Sequence, residues 1–91
     1  MNFDIAARFG DNLIKARKEA DISQDELSAR ASVHRTEISQ LERGLRIPRI
    51  DTLIKLAASL EASPEELLTG IVWESGNVRL GRFTDTHRHG S

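Results

Sequence analysis

The 91-residue sequence contains no cysteine, and its aromatic residues are three phenylalanines and one tryptophan. The lack of cysteine excludes disulfide bonds and thiolate-bound metal sites, and nothing in the composition points to an oxidising compartment. Because aromatic side chains are scarce, the hydrophobic core must consist mainly of leucine, isoleucine and alanine, as in a helical bundle. A sequence of this length allows one small domain with one core, plus an appendage.

Long hydrophobic runs are also missing. No stretch approaches the roughly 20 apolar residues that cross a membrane. Residues 1–5 lack the basic and apolar regions of a signal peptide. We therefore expect a cytoplasmic protein that does not contact membranes.

The sequence has none of the motifs that carry catalysis. It contains no nucleophile–base constellation, no metal-binding motif and no phosphate-binding glycine loop. His87 and His89 stand close together, but they have no cysteine or carboxylate partner at metal-binding spacing. We therefore expect no enzyme activity, no bound metal and no cofactor.

The net charge is only −1, which is low for a protein that binds nucleic acid, but the charges are unevenly distributed. Residues 30–49 contain five arginines and two glutamates, whereas the rest of the chain has eight basic and twelve acidic residues. One basic face on an otherwise acidic protein favours docking on a polyanion in a fixed orientation. It also predicts weak non-specific DNA binding.

Residues 23–44 carry the most informative pattern, because they predict two short helices separated by a tight turn. Ser23 is a favourable N-cap, and Glu26 completes a capping box. Residues 32–34 interrupt the helical pattern, and Gly44 ends the second helix. The inward residues at helical spacing are Leu27 and Ala31 in the first helix and Ile38 and Leu41 in the second.

The outward face of the second helix is polar and has no carboxylate at its centre. At about 100° per residue, the side opposite the two inward residues carries Thr36, Ser39, Gln40 and Arg43, with Arg35 beside them. These side chains are suited to hydrogen bonds with base edges and phosphates. A solvated face is the better interpretation for a lone helix, but the paired helices and the short turn favour a helix-turn-helix.

Several spaced residues resemble the Cro and lambda-type repressor family of small Xre-like regulators. They are Gln24, Leu27, the three-residue turn, Ile38, residues 41–44 and Pro48. The resemblance extends from about residue 9 to residue 70. It implies an all-α, compact five-helix bundle over residues 1–70, whereas residues 71–91 fall outside it and are expected to be an extended or β-hairpin tail. It further implies a sequence-specific, dimeric transcriptional repressor of double-stranded DNA operators with inverted repeats.

The resemblance also assigns roles to individual residues. Arg35 suits guanine and Gln40 suits adenine. The expected base contacts are Arg35, Thr36, Ser39 and Gln40. The expected phosphate contacts are Gln24, His34, Arg43, Arg46 and Arg49, although His34 is also placed to cap the second helix. Arg17 and Glu42 match the positions of a partly buried structural ion pair.

The remaining helices follow from their apolar stripes and caps. The first helix spans residues 5–20, with Gly10 weakening it by roughly 1 kcal/mol relative to alanine. Asp21 and Ser32 stand where the family usually has glycine, so both are expected to adopt left-handed backbone. The fourth helix directs Ile50, Leu53, Ala57 and Leu60 inward, and residues 63–66 cap a short fifth helix with Leu67 and Leu68.

The last residues leave two interpretations open. Residues 71–74 and 78–84 are β-prone, and residues 75–77 are a turn, which together predict a hairpin. A lone hairpin is marginal in water, so it is expected to dimerise through Trp73, Val78, Leu80 and Phe83. The alternative is a loose arm in which only Trp73 packs on the domain.

Leu45 and Ile47 are apolar residues in the loop that follows the second motif helix. They either pack across a dimer contact or cover the edge of the core, and we favour the second. An alternative to DNA binding is a protein-interaction module that uses the same fold. Its partner would be a toxin or another regulator.

Overall fold

The computed structural model describes residues 3–85. Five helices are followed by a two-stranded antiparallel sheet. The elements are α1 (Ile5–Glu19), α2 (Gln24–Ala31), α3 (Arg35–Glu42), α4 (Ile50–Ser59), α5 (Pro64–Leu67), β1 (Val72–Glu74) and β2 (Arg82–Thr84). The predicted five-helix bundle with a C-terminal hairpin is confirmed. The histidines at positions 87 and 89 lie outside the described residues.

The two predicted capping boxes have different outcomes. At α5, Ser63 accepts from the amide of Glu66 at 3.2 Å, and the Glu66 carboxylate accepts from the amide of Ser63. At α2, Ser23 accepts from the amide of Glu26 at 3.0 Å, but the Glu26 carboxylate instead pairs with Arg30 at 2.6 Å. The capping box at α2 is therefore only half formed.

Each helix contributes at least one side chain to a single core. The fully buried large side chains are Leu13, Leu27, Ile38, Leu41, Leu56 and Leu67. The sequence prediction for α4 is partly wrong, because Ile50 is 76% exposed and Leu53 is only partly buried. The buried row of α4 instead contains Thr52 and Leu56. Apolar residues occur on more than one side of this helix, so periodicity alone picks the wrong starting point.

Within residues 3–85, three non-glycine residues adopt left-handed backbone at the ends of helices. Asp21 and Ser32 have φ of 59° and 53°, as their positions predict. Glu61, with φ of 54°, is not predicted to do so from the sequence. At each of these sites a β-carbon costs free energy that glycine would avoid, by roughly 1–2 kcal/mol.

Gly10 has a packing role that its low helix propensity conceals. It is buried in α1, where α1 crosses the C-terminal end of α3. A Cβ at this position would lie 2.6 Å from the carbonyl oxygen of Leu41 and 2.7 Å from that of Glu42. Because both contacts are with backbone, neither can be relieved by moving a side chain. Glycine is therefore what allows α1 and α3 to pack closely.

Replacing Gly10 with alanine is expected to lower the free energy of unfolding by about 1–3 kcal/mol through overpacking. The improved helix propensity, about 1 kcal/mol, does not offset this. Urea unfolding measures the change. Asp11→Ala, on the exposed side of the same helix, is the control and should leave stability nearly unchanged. If Gly10→Ala stabilises the protein, the close packing is absent.

The hairpin forms with a longer loop than the sequence predicts. Val72, Trp73 and Glu74 pair with Thr84, Phe83 and Arg82 respectively. The connection therefore occupies residues 75–81 rather than 75–77. Val78 and Leu80 lie in this loop and are each 93% exposed, so the prediction that they belong to a strand is wrong.

Packing around Trp73 explains the register of the hairpin. The Trp73 and Phe83 rings meet edge to face with centroids 5.0 Å apart, yet Trp73 remains 55% exposed. A Cβ on Gly81 would collide with the Trp73 ring and with the carbonyl oxygen of Glu74. Gly81 therefore lets the loop close over the indole before β2 begins. None of the helices within residues 3–85 has the length and apolar character needed to cross a membrane.

Candidate nucleic-acid interface

A tight turn sets the angle between α2 and α3. Ser32 ends α2 in the left-handed conformation, with its amide bonded to the carbonyl of Ser28. The Ser28 hydroxyl donates to the carbonyl of Val33 at 2.6 Å, and the Val33 side chain is buried. Ile38 and Leu41 then hold the inner face of α3 in the core. The opposite face of α3 is consequently directed outward.

The residues that helical periodicity places on the outward face of α3 are exposed or half-buried in the structure. Arg35, Thr36 and Arg43 are exposed, whereas Ser39 and Gln40 are half-buried beside them. The only acidic residue in the first turn of α3 is Glu37, which is half-buried. The structure therefore brings the four predicted base-contacting residues onto one helix, with cationic side chains at both ends.

Both of the longer predicted base-contacting side chains are held by neighbours. Nε of Arg35 lies 3.0 Å from Oδ1 of Asp25 on α2. Oε1 of Gln40 accepts from Nη1 of Arg46 at 3.0 Å. Since arginine only donates, this bond fixes which end of the Gln40 amide is the oxygen.

The predicted phosphate-contacting residues differ in their surroundings. Gln24 is half-buried, and its Nε2 donates to Oε1 of Glu42 at 2.8 Å, which uses one of its two hydrogens. Arg43 is exposed at the C-terminal end of α3. Arg49 is also exposed, with Nε 3.4 Å from Oδ1 of Asp51.

His34 and Arg49 occupy the N-cap positions of α3 and α4. Neither side chain accepts a capping hydrogen bond. Of the two roles expected for His34, capping α3 is therefore wrong, and the phosphate contact stays a prediction. The His34 side chain is exposed and makes no capping hydrogen bond to α3. The amides at the start of α3 therefore have no side-chain cap from this residue.

Glu42 links three helices underneath the interface. Its carboxylate accepts from Nε and Nη2 of Arg17 at 2.6 and 3.1 Å, and Arg17 also donates to the carbonyl of Ile22 at 2.9 Å. The two side chains are only 14% and 5% exposed. The hydrogen bond to Glu42 raises the pKa of Arg17 above its ordinary value, more than burial lowers it. The predicted pair is present, and Gln24 joins it.

Two features of this region were missed by sequence reasoning. The first is the ion pair between Asp25 and Arg35. From the sequence, Asp25 is an acidic residue that complements the dipole of α2, and only the angle between α2 and α3 brings it close to Arg35. The second is the exposure of Ile50 and Ile54, which together with Leu45 and Ile47 make up the exposed aliphatic residues that we call the α4 surface. Leu45 and Ile47 are 62% and 58% exposed, so the favoured interpretation that they cover the edge of the core is wrong. The spacing of Ile50 and Ile54 by four residues was a usable signal for a second apolar side of α4.

The sequence model of the helix-turn-helix family HTH_3 matches residues 13–67. This is more than half of the chain, and it includes α2, the turn and α3. The chain therefore belongs to the helix-turn-helix family of transcriptional regulators. Its members are regulators rather than enzymes, in agreement with the expectation from the sequence.

Known proteins of similar size and fold support this assignment. Control protein C.MunI of a Mycoplasma species is 39% identical over 69 residues, which cover 75% of this chain and 93% of that protein. The restriction-modification controller protein C.AhdI of Aeromonas hydrophila has a TM-score of 0.69 and 29% identity, covering 71% of this chain and 98% of its own. The P22 c2 repressor bound to a synthetic operator has a TM-score of 0.63 and 34% identity, covering 68% of this chain and 94% of that chain.

Proposed function

We propose that this protein is a transcriptional repressor that binds a double-stranded DNA operator with α3 in the major groove. The observation that carries the proposal is the outward face of α3, where Arg35, Thr36, Ser39 and Gln40 stand together on a helix whose other side is locked into the core. An α-helix fits the major groove, and these side chain types pair with base edges there. DNA binding by this fold is supported by the similar P22 c2 repressor, whose structure is a complex with a synthetic operator.

Within this proposal, Arg35 reads guanine and Gln40 reads adenine. The oxygen of Gln40 has a second lone pair beyond the one that Arg46 occupies, so its amide retains both an acceptor and a donor for adenine. Gln24 uses its second amide hydrogen for a phosphate. His34, Arg43, Arg46 and Arg49 contact the DNA backbone around the groove.

Arg35→Ala is expected to weaken operator binding by roughly 1–3 kcal/mol and to relax preference at one base pair per half-site. Arg43→Ala is the matched control, because it removes the same charge from the other end of α3. It should weaken all sequences about equally and flatten the salt dependence by about one unit. Titrations of operator and random duplexes at several salt concentrations measure both effects. Equal losses on the two duplexes for Arg35→Ala would refute base reading.

Arg46→Ala should behave differently from Arg43→Ala. Because Arg46 bonds to Gln40, its loss removes a backbone contact and also frees the Gln40 amide to rotate. The salt dependence should flatten, and the preference at the adenine position should also fall. Arg46 is therefore a poor reporter of purely electrostatic binding.

A second copy of the chain is part of the proposal. One short recognition helix reads only a few base pairs, too few to distinguish a site among genomic competitors. Two copies related by a two-fold axis would read half-sites about 34 Å apart, so the operator should be an inverted repeat.

The α4 surface is the contact we propose between the two copies. It starts at Leu45, whose amide bonds to the carbonyl of Gln40 at the end of α3. It therefore adjoins the recognition helix, as a contact near the two-fold axis must. Arg49 precedes Ile50 and Asp51 follows it, and these two side chains pair with each other at 3.4 Å within one copy, so the proposed contact between copies is made by the aliphatic residues. Such a surface is self-complementary across a two-fold axis.

The hairpin supplies a second contact in this proposal. Its exposed apolar residues are Trp73, Val78, Leu80 and Phe83. From the sequence, it is the main dimerisation element, because Ile50 is assigned to the core and little other apolar surface remains. Because Ile50 is exposed, the helical domain also offers apolar surface for a contact between copies. We therefore assign the hairpin a supporting role.

A further inference from the structure

Asp25 lies beside the recognition helix although it belongs to α2. It is the second residue of α2, and Arg35 is the first residue of α3. The pair joins these two positions across the turn with Nε and Oδ1 3.0 Å apart, and the side chains are 62% and 80% exposed for Arg35 and Asp25. A carboxylate therefore stands on the face that meets DNA in the proposed function.

The contact uses the inner nitrogen of the guanidinium. Nε is attached to the aliphatic stem, whereas Nη1 and Nη2 form the terminal edge of the group. A carboxylate beside Nε restricts rotation about the last bonds of the side chain. The terminal edge, with its two parallel donors, then has a defined direction relative to α3. A guanine presents O6 and N7 as two acceptors with matching geometry.

We propose that Asp25 is a positioning residue for sequence recognition, an inference that rests on the proposed role of Arg35 in base reading. Asp25 holds the guanidinium so that Nη1 and Nη2 meet guanine. In the free protein the pair is solvated and contributes little. When DNA displaces water from the interface, the same pair strengthens and its effect on Arg35 geometry increases.

Asp25 also acts on binding to the wrong sequence. Its negative charge is repelled by the phosphates of any DNA that docks on this face. A correct base pair compensates through the Arg35 contact, whereas an incorrect one does not. Asp25 therefore lowers affinity for all DNA and lowers it least for the operator. Specificity arises from this difference.

The chain provides a matched control one residue away. Glu26 has the same charge and lies in the same turn of α2, but its carboxylate pairs with Arg30 in its own helix at 2.6 Å. Glu26→Gln therefore removes the same charge without releasing Arg35. Asp25→Asn removes the charge that faces Arg35 and keeps the size of the side chain.

The test is quantitative binding of the full-length variants to a duplex library randomised at the operator, together with urea unfolding. Asp25→Asn should reduce discrimination at the Arg35-dependent base pair by about tenfold while raising affinity for random DNA. Glu26→Gln should keep the discrimination. In an Arg35→Ala background, Asp25→Asn should leave base preference unchanged. Asp25→Glu, which retains a carboxylate, should restore part of the discrimination.

The outcomes separate this inference from the proposed function. If the unmodified protein shows sequence preference that depends on Arg35, and Asp25→Asn retains full discrimination, the positioning role is wrong. Equal loss of discrimination in Glu26→Gln would also overturn it, since charge alone would then be responsible. If the unmodified protein shows no sequence preference, the proposed function itself fails. The urea measurement shows whether any loss comes from unfolding.

Discussion

Arg17→Ala and Glu42→Ala should each lower the free energy of unfolding by about 3–5 kcal/mol, because either change leaves a largely buried charge without its partner. The pair is bidentate, and its two side chains are 14% and 5% exposed. The double substitution should cost less than the sum of the single ones, since no unpaired charge remains. Urea unfolding of the four proteins gives the coupling energy.

Glu26 and Arg30 form a control pair with the same separation. Both ion pairs have their closest nitrogen and oxygen at 2.6 Å, but the Arg30 and Glu26 side chains are 45% and 47% exposed. The exposed pair should couple by only about 0.3–0.5 kcal/mol. If the Arg17–Glu42 substitutions were additive, or if both pairs coupled equally, burial would not be the source of the effect.

The same ion pair connects stability with recognition. Glu42 is the last residue of α3, and its carboxylate also accepts from Gln24 at the start of α2. Losing it would loosen the end of α3 and release the proposed phosphate-contacting amide. Gln24→Ala removes only the latter. We expect it to weaken DNA binding with little change in stability, which separates the two roles of this network.

Replacing both Ile50 and Ile54 with glutamine should convert the proposed dimer to monomer and reduce operator affinity by about 100-fold or more. The reduction follows because a second half-site is then no longer bound at high effective concentration. The residues are 76% and 54% exposed, so the fold should tolerate the change. Sedimentation measures the oligomeric state, and titration of an operator and of an isolated half-site measures the affinities. Half-site affinity and base preference should remain unchanged.

The matched control replaces Val78 and Leu80 with glutamine in the hairpin loop. It changes two even more exposed apolar residues, at 93% each. We expect a weaker dimer but not its loss, and the same result for a chain ending at Gly70. If the α4 variant stays dimeric while the shortened chain becomes monomeric, the hairpin is the main contact, and the sequence-based assignment of the interface is the correct one.

Features that depend on neighbouring residues could be predicted well from the sequence. Ser23 and Ser63 cap the helices that their positions indicate, and the turn at Ser32 is left-handed. The ion pair between Arg17 and Glu42 is also present. Only the family resemblance predicts this pair, because residues that far apart in the sequence have no local signal.

Features that depend on how helices pack could not be predicted in the same way. Gly10 looks unfavourable within its own helix, and its value appears only where α3 crosses it. Ile50 belongs to an apolar pattern that fits two different sides of α4. Asp25 reaches Arg35 only because the turn fixes the angle between two helices. In each case the decisive contact lies on another element.

The predicted loop length of the hairpin is wrong for a different physical reason. Residues 78–84 have β propensity, but the loop closes around Trp73, with Gly81 packed against its ring. The register therefore follows from the contact between Trp73 and Phe83 rather than from the shortest available turn. Propensity predicts that strands exist here, whereas side-chain packing decides where they begin.

The proposed DNA reading by α3 is tested by selecting bound sites from random duplex DNA with the full-length protein and then titrating the selected site with salt. We predict an inverted repeat with half-site centres about 10–10.5 base pairs apart, and binding that weakens steeply with salt. The Arg35→Ala variant should select the same repeat with one position per half-site relaxed. Absence of any enriched sequence, or binding that does not respond to salt, would contradict the assignment of α3 as a DNA-reading helix.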